Sequence, residues 1–256
     1  MITIKTAEEI AILREGGKRL AEILSELEKT VKPGVSANEL NILAEKLVAK
    51  GGDKSAFLKY KPYGASRPYP ASLCVSINDE VVHGIPNESE KILKEGDIVS
   101  LDMGLIHKKL FTDIAVTVAV GKIDSSAQNL LRVTEGALEK GISMAVAGNR
   151  VGHISNAIQS FIKPHGYGIV EELAGHGVGY KVHEDPYVPN YGSQNSGAIL
   201  KPGMVLAIEP MVNEGGKAVV LDSDGYTYRT ADGKRSAHFE KTILITEGVA
   251  EILTKL

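Results

Sequence analysis

The chain has one cysteine in 256 residues, no tryptophan and a net charge of only −3. One cysteine excludes an internal disulfide framework and any cysteine-based zinc module, and it fits a reducing, cytoplasmic setting. So small a charge gives no reason to expect nucleic acid or an acidic membrane as partner. No apolar run reaches membrane-spanning length. The opening stretch, MITIKTAEEIAILREGG, alternates charged and apolar residues and is neither a signal peptide nor a spanning segment. What remains is ordinary globular material, 43% hydrophobic and 24% charged, long enough for a real core.

Within that background one stretch recurs. Ile92 to Asp102 reads ILKEGDIVSLD, and Ile199 to Glu209 reads ILKPGMVLAIE, with Asp102 matching Glu209. Upstream of each copy lies V-H-x-x-P: Val82-His83-Gly84-Ile85-Pro86 and Val182-His183-Glu184-Asp185-Pro186. Downstream comes a second strand-like run with one acid, Phe111-Thr112-Asp113 and His238-Phe239-Glu240. The expected organisation is one domain over 1–256, built from related halves of about 1–122 and 123–256 that share one site.

The helices fit that plan. Thr6-Ala7-Glu8-Glu9 and Ser36-Ala37-Asn38-Glu39 are capping boxes. The first opens a helix striped by Ile10, Leu13, Gly17, Leu20, Leu24, Leu27 and Val31, ended by Pro33-Gly34. The second opens a helix facing inward through Leu40, Leu43, Leu47 and Val48, stopped at Gly51-Gly52. In the second half Ser125 and Gln128 are expected to cap a helix through Leu131, Leu138 and Ile142, and another follows through Ile154, Ile158 and Ile162 to Pro164. Helix pairs followed by acidic strands, twice over, make an α+β chain.

Strand alternation says why the acids sit where they do. Val99, Leu101, Met103 and Leu105 share one face of the first strand, and Ser100, Asp102 and Gly104 the other. Ile114, Val116 and Val118 oppose Asp113, Ala115 and Thr117 in the same way. A turn centred between His107 and Lys108 would set Asp102 and Asp113 opposite each other, about 5 Å apart at Cβ. Carboxylates that close repel unless a cation lies between them.

Of the histidines, His107 at the turn and His165 past a helix end read as surface residues, and His153 carries no role. His176, in Gly175-His176-Gly177-Val178-Gly179, has glycines that let the backbone come close, and suits a divalent metal. His83 and His183 are either ligands or hydrogen-bonding groups beside a metal, and His238 belongs behind Glu240 rather than on the metal. The loop Tyr60 to Leu73, with Tyr60, Tyr63 and Tyr69 among prolines, either walls an apolar pocket or covers a core edge; Glu184 to Ala198 reads as a polar surface rim. Asp102, Asp113, Glu209, Glu240 and one imidazole form an oxygen-rich, thiol-free set suited to two divalent cations (Mn, Fe(II), Co or Zn). Such a pair makes a bound water nucleophilic near neutral pH, so the residues alone point to a metal-dependent hydrolase.

NDEVVHGIP, LDMGLIHKKLFTD, AGHGVGYKVHEDP, AIEPMVNEG and HFEKT, in this order along essentially the whole chain, closely resemble the bacterial type I methionine aminopeptidases. The resemblance implies the pita-bread (creatinase/aminopeptidase-like) fold, two pseudo-symmetric α/β halves around a central antiparallel sheet. It implies a dinuclear metal site on Asp102, Asp113, His176, Glu209 and Glu240, with Glu209 relaying a proton. His183 would stabilise the oxyanion, His83 would bond the scissile nitrogen, and Tyr69 and Cys74 would line the methionine pocket. Tyr226 takes a lid position often held by Trp, Val182 stands where Phe is common, and His238 where Gln is usual; the first two alter the pocket wall. The implied partner is a peptide or nascent-chain N-terminus, met by a monomer in transient association with the ribosome. Proline-directed relatives share the five ligands but usually add an amino-terminal domain, and non-enzymatic relatives have typically lost ligands.

Overall fold

The computed structural model describes all 256 residues. The first half runs α1 (Ala7–Thr30), α2 (Ala37–Gly51), β1 (Lys54–Ser55), β2 (Cys74–Ile77), β3 (Glu80–Val82), β4 (Ile98–His107) and β5 (Leu110–Ala119). The second runs α3 (Ser125–Ser143), α4 (Val151–Ile162), a 3₁₀ turn, β6 (Gly168–Ile169), β7 (Ala174–Gly177), β8 (Glu184–Pro189), β9 (Val205–Ile208), β10 (Met211–Asn213), β11 (Val219–Leu221), β12 (Tyr228–Thr230), β13 (Ser236–His238), β14 (Glu240–Leu244) and β15 (Glu251–Ile252). No helix is long and apolar enough to cross a membrane.

Both expected capping boxes form. Thr6 accepts from Glu9 N while Glu9 accepts from Thr6 N, and Ser36 and Glu39 repeat the exchange. The cap of α3 differs from expectation: Asp124 accepts from Ala127 N, and Ser125 is the first helical residue. Asp124 is also held by Arg235, so a tertiary ion pair fixes that helix start one residue early. In α2, Leu40, Ala44 and Val48 are buried while Leu43 and Leu47 lie half-covered, so the inner face is rotated slightly.

The main sheet is antiparallel in the order β1-β4-β5-β14-β9-β7-β8, with β2 on β4 and β15 on β14. Its middle pairs β5 with β14, and the acid-bearing strands flank that seam: Asp102 on β4, Asp113 on β5, Glu240 on β14, and Glu209 one residue past β9. Val99, Leu101, Met103, Leu105 and Ile114 pack beneath Leu20, Leu24, Leu27 and Leu40 of α1 and α2. Leu206, Ile208 and Ile243 do the same beneath Leu130, Ile154 and Ile158 of α3 and α4. Each such side chain contributes about 1.5–3 kcal/mol of burial, and together they turn the acidic face of the sheet away from the helices.

The β4–β5 register corrects one expectation. The turn is Lys108-Lys109, both at positive φ (45° and 75°), a tight two-residue connection. Asp102 therefore faces Ala115 and Asp113 faces Gly104. The two acids share a face but are diagonal neighbours, roughly 7–8 Å apart, rather than opposite. Two further expectations fail. His107 is buried, its Nδ1 2.7 Å from Asp53 Oδ1 and its Nε2 3.2 Å from Glu15 Oε2. Glu184 to Ala198 is only partly a rim, because Glu184–Pro189 is a strand paired with β7 and buries Pro186 and Val188.

Candidate metal centre

The acidic face of the sheet opens onto a cavity of about 160 Å³. Its wall carries Asp102, Asp113, His176, Glu209 and Glu240, the five positions expected to converge. Donor atoms of Asp113, His176 and Glu240 lie within 4.8 Å of one another. No lysine or arginine lines the cavity. Asp102 Oδ1 and Glu240 Oε1 are buried with no hydrogen-bond partner, which a buried carboxylate tolerates poorly.

The electrostatics follow from that crowding. Burial pushes the Asp102 carboxyl up to about 7, with Glu209 adding to the rise and His238 opposing it. Burial, then repulsion from Asp102 and Glu209, lifts Asp113 well above the ordinary range. Glu240 rises likewise through burial and the charge of Asp113. Glu209 goes the other way: burial alone would raise it, but the close approach of His238 Nε2 and the pull of a protonated His176 outweigh that and hold it low. A divalent cation fits this donor set, since it supplies the charge that the surrounding protein does not.

Two imidazoles are set by their neighbours. His176 Nδ1 lies 2.9 Å from the Gly177 carbonyl, which can only accept, so Nδ1 carries a proton in every state of the ring; Nε2, 3.5 Å from Glu209 Oε1, is the nitrogen that gives up its proton when a cation is bound. Gly175 and Gly177 are needed here, because a Cβ would meet the Ala207 carbonyl at 2.4 Å and the Asp185 carbonyl at 2.1 Å. His238 places Nε2 3.3 Å from Glu209 Oε2 rather than beside Glu240, and Thr117 Oγ1 holds its backbone by accepting from N and donating to O, both at 2.8 Å.

The lining also carries Phe57, Tyr60, Pro62, Tyr69, Cys74 and Tyr226. Tyr69 and Tyr226 meet edge-on with ring centroids 5.2 Å apart. Tyr69 donates to the Gly84 carbonyl at 3.0 Å. Burial raises both the Tyr69 phenol and the Cys74 thiol well above their usual values, so Cys74 is a neutral, small wall residue rather than a nucleophile. Val182 is buried but does not line the cavity, which corrects its expected place on the pocket wall. Pro62 belongs to the loop that either walls a pocket or covers a core edge, and Phe57 lies outside it. Gly104 makes room for Phe57, since a Cβ would meet its ring at 2.9 Å. Of the three tyrosines singled out in this loop, Tyr63 is fully exposed and lines nothing.

His83 lines the same cavity with φ +60°, a strained conformation for a non-glycine residue, and burial lowers its pKa. His183 lies at the outer mouth against His176, ring centroids 4.5 Å apart. Burial, then the charge of His176, pushes it down to about 3. Its Nδ1 is 2.9 Å from the Tyr60 hydroxyl.

The profile described as metallopeptidase family M24 matches residues 11–247. The chain belongs to metallopeptidase family M24. Among M24 relatives, methionine aminopeptidase 1 of Bacillus subtilis is 46% identical over 256 residues, covering 100% of both chains. The crystal structure of methionine aminopeptidase from Thermotoga maritima matches with a TM-score of 0.94 at 47% identity, again over 100% of both chains. The prolidase of Pyrococcus furiosus matches with a TM-score of 0.77 at 25% identity, covering 99% of this chain but 65% of that one. The M24 fold is thus the pita-bread α+β fold, and the full-length likeness is to the methionine aminopeptidases rather than to the proline-directed branch.

Proposed function

We propose that the chain is a metalloaminopeptidase that hydrolytically removes the N-terminal methionine from peptides and nascent proteins, preferring a small second residue. The observation that carries this reading is a single cavity lined both by the five candidate ligands and by a set of buried apolar side chains. Tyr69, Cys74 and Tyr226 are all buried there, and Tyr226 O–H donates to the Arg67 carbonyl. Such a lining receives one unbranched apolar side chain, and a thioether packs well against tyrosine rings.

Asp102, Asp113, His176, Glu209 and Glu240 would hold two divalent cations, cobalt, manganese, iron(II) or zinc, which when bound supply carbonyl polarisation and an activated water. Glu209, held ionised by His238, takes the proton of the attacking water and returns it to the departing amine. His83, neutral in the same cavity, hydrogen-bonds the scissile nitrogen. His183 donates to the carbonyl oxygen as negative charge gathers on it.

We also infer one catalytic domain, residues 1–256, of two repeat-related halves at about 1–122 and 123–256. Equivalent bridges support this: Ser36 before α2 pairs with Ile92, and Arg150 before α4 pairs with Ile199, the first residue of each ILK copy. The substrate class and the single, buried cysteine fit work in the cytoplasm, by a monomer that meets nascent chains at the ribosome.

Incubating the metal-loaded protein with Met-Ala-Ser and with Ala-Pro-Ala, and weighing the products, tests the reading. Release of Met from the first peptide alone is expected. Cleavage of the second alone would make the chain proline-directed, and cleavage of neither would make it a binding module.

A further inference from the structure

Tyr60 and His183 are 123 positions apart in sequence, yet their side chains meet across the cavity mouth. The hydroxyl is 2.9 Å from Nδ1, and the rings are tilted at 52° with centroids 5.5 Å apart. His183 Nδ1 is the sole polar partner the Tyr60 hydroxyl has in the fold. A phenol O–H that is partly buried needs an acceptor, and an unprotonated imidazole nitrogen is one.

The direction of this hydrogen bond decides what His183 can do. When the phenol donates, Nδ1 is bare and the ring proton sits on Nε2. When Nδ1 donates instead, Nε2 is a bare acceptor and can give nothing to a carbonyl oxygen. A neutral imidazole has no third choice. His176 presents the opposite arrangement a few ångströms away: its Nδ1–H is committed to the Gly177 carbonyl, which leaves Nε2 as a lone pair for a metal. A phenol that donates to Nδ1 gives His183 the tautomer opposite to the one the carbonyl gives His176.

We propose that Tyr60 is a positioning residue, whose O–H donates to His183 Nδ1 and holds that imidazole in the tautomer presenting an Nε2–H donor to the scissile carbonyl oxygen. The proposal rests on the aminopeptidase reading, in which His183 acts on that oxygen. No bond is made or broken by Tyr60; it fixes the ring plane and the proton position before substrate arrives. A hydrogen bond to a developing charge strengthens in the transition state, so loss of the correct tautomer lowers kcat and leaves KM nearly unchanged.

The test uses the full chain with ¹⁵N-labelled histidine, metal-free and zinc-loaded, and long-range ¹H–¹⁵N correlation at pH 7.5 to read the His183 tautomer. The wild type is expected to show the Nε2–H form. Tyr60→Phe is expected to shift His183 toward a mixture with the Nδ1–H form and to lower kcat on Met-Ala-Ser about tenfold, with KM within about twofold of wild type. An Nδ1–H tautomer in the wild type overturns the proposal, as does a Tyr60→Phe protein with unchanged kcat. His183→Ala separates the two levels: if it retains wild-type kcat, the role of His183 itself is wrong, whatever Tyr60 does.

Discussion

His238 Nε2 lies 3.3 Å from Glu209 Oε2, and this contact holds one carboxylate ionised among three that burial drives toward protonation. The role given to Glu209 needs that asymmetry, because a group that takes a proton must start without one. His238→Ala removes the close contact that lowers the Glu209 pKa in the metal-free protein. Glu209 then protonates at a higher pH, which carbon NMR of labelled glutamate carboxyls in chelator reads; a Glu209 titration that stays in place would show that His238 does not set it.

Metal-free protein carries an electrostatic penalty that depends on pH. The folded-state pKa of Asp102 is raised to about 7, and those of Asp113 and Glu240 are raised well above the ordinary carboxylate range, so the folded state binds more protons than the unfolded chain. Stability is full below the unfolded carboxylate range near pH 4 and falls as pH rises toward and through 7. Melting curves in chelator are therefore expected to shift to lower temperature from pH 5 to 7.5. Saturating Mn²⁺ should abolish most of that shift. Equal slopes with and without metal would mean that the acids are not repelling one another.

Asp102→Asn should relieve part of that repulsion in the metal-free state and raise its melting temperature at pH 7.5, while turnover falls by orders of magnitude. Glu209→Gln should likewise cost orders of magnitude in kcat with the fold intact. Near-wild-type turnover in either variant would remove that residue from the site.

The strap before α1 is tied to the loop that carries His183. Lys5 Nζ lies 2.8 Å from Glu184 Oε2 with both side chains almost fully covered, and the same carboxylate accepts from Thr3 Oγ1 and from the Tyr180 and Lys181 N–H groups. Lys5→Met leaves a buried carboxylate without its cation, a loss of about 3–5 kcal/mol or on the order of 10 °C in Tm. Lys5→Met with Glu184→Gln should recover most of it, because the charge is gone and the side-chain oxygen that accepts from the Tyr180 and Lys181 N–H groups remains. Calorimetry on the three proteins decides; a double variant no better than the single one would contradict the pairing.

The parts of this site that were legible in the sequence are those set by local pattern. Alternation placed Asp102 and Asp113 on the face away from Leu101 and Ile114, and the ILK repeat matched Asp102 to Glu209. Register was not legible, because Lys108 and Lys109 adopt left-handed angles without the Asn or Gly that normally announces them. His107 read as a turn residue because its partner, Asp53, is brought beneath the hairpin from the end of α2. Phe57 entered the cavity wall through the space left by Gly104, a contact between residues far apart in the chain. The Tyr60–His183 contact has the same character: each residue was noticed alone, and only tertiary packing joins them.

The central claim is that the buried donors on the acidic face of the sheet hold a pair of divalent cations. Crystals soaked in Mn²⁺ or Co²⁺ and measured across the metal's absorption edge test it directly. Two anomalous peaks are expected, bounded by Asp102, Asp113, His176, Glu209 and Glu240. A cavity without anomalous density at saturating metal, or peaks held by other side chains, would contradict it.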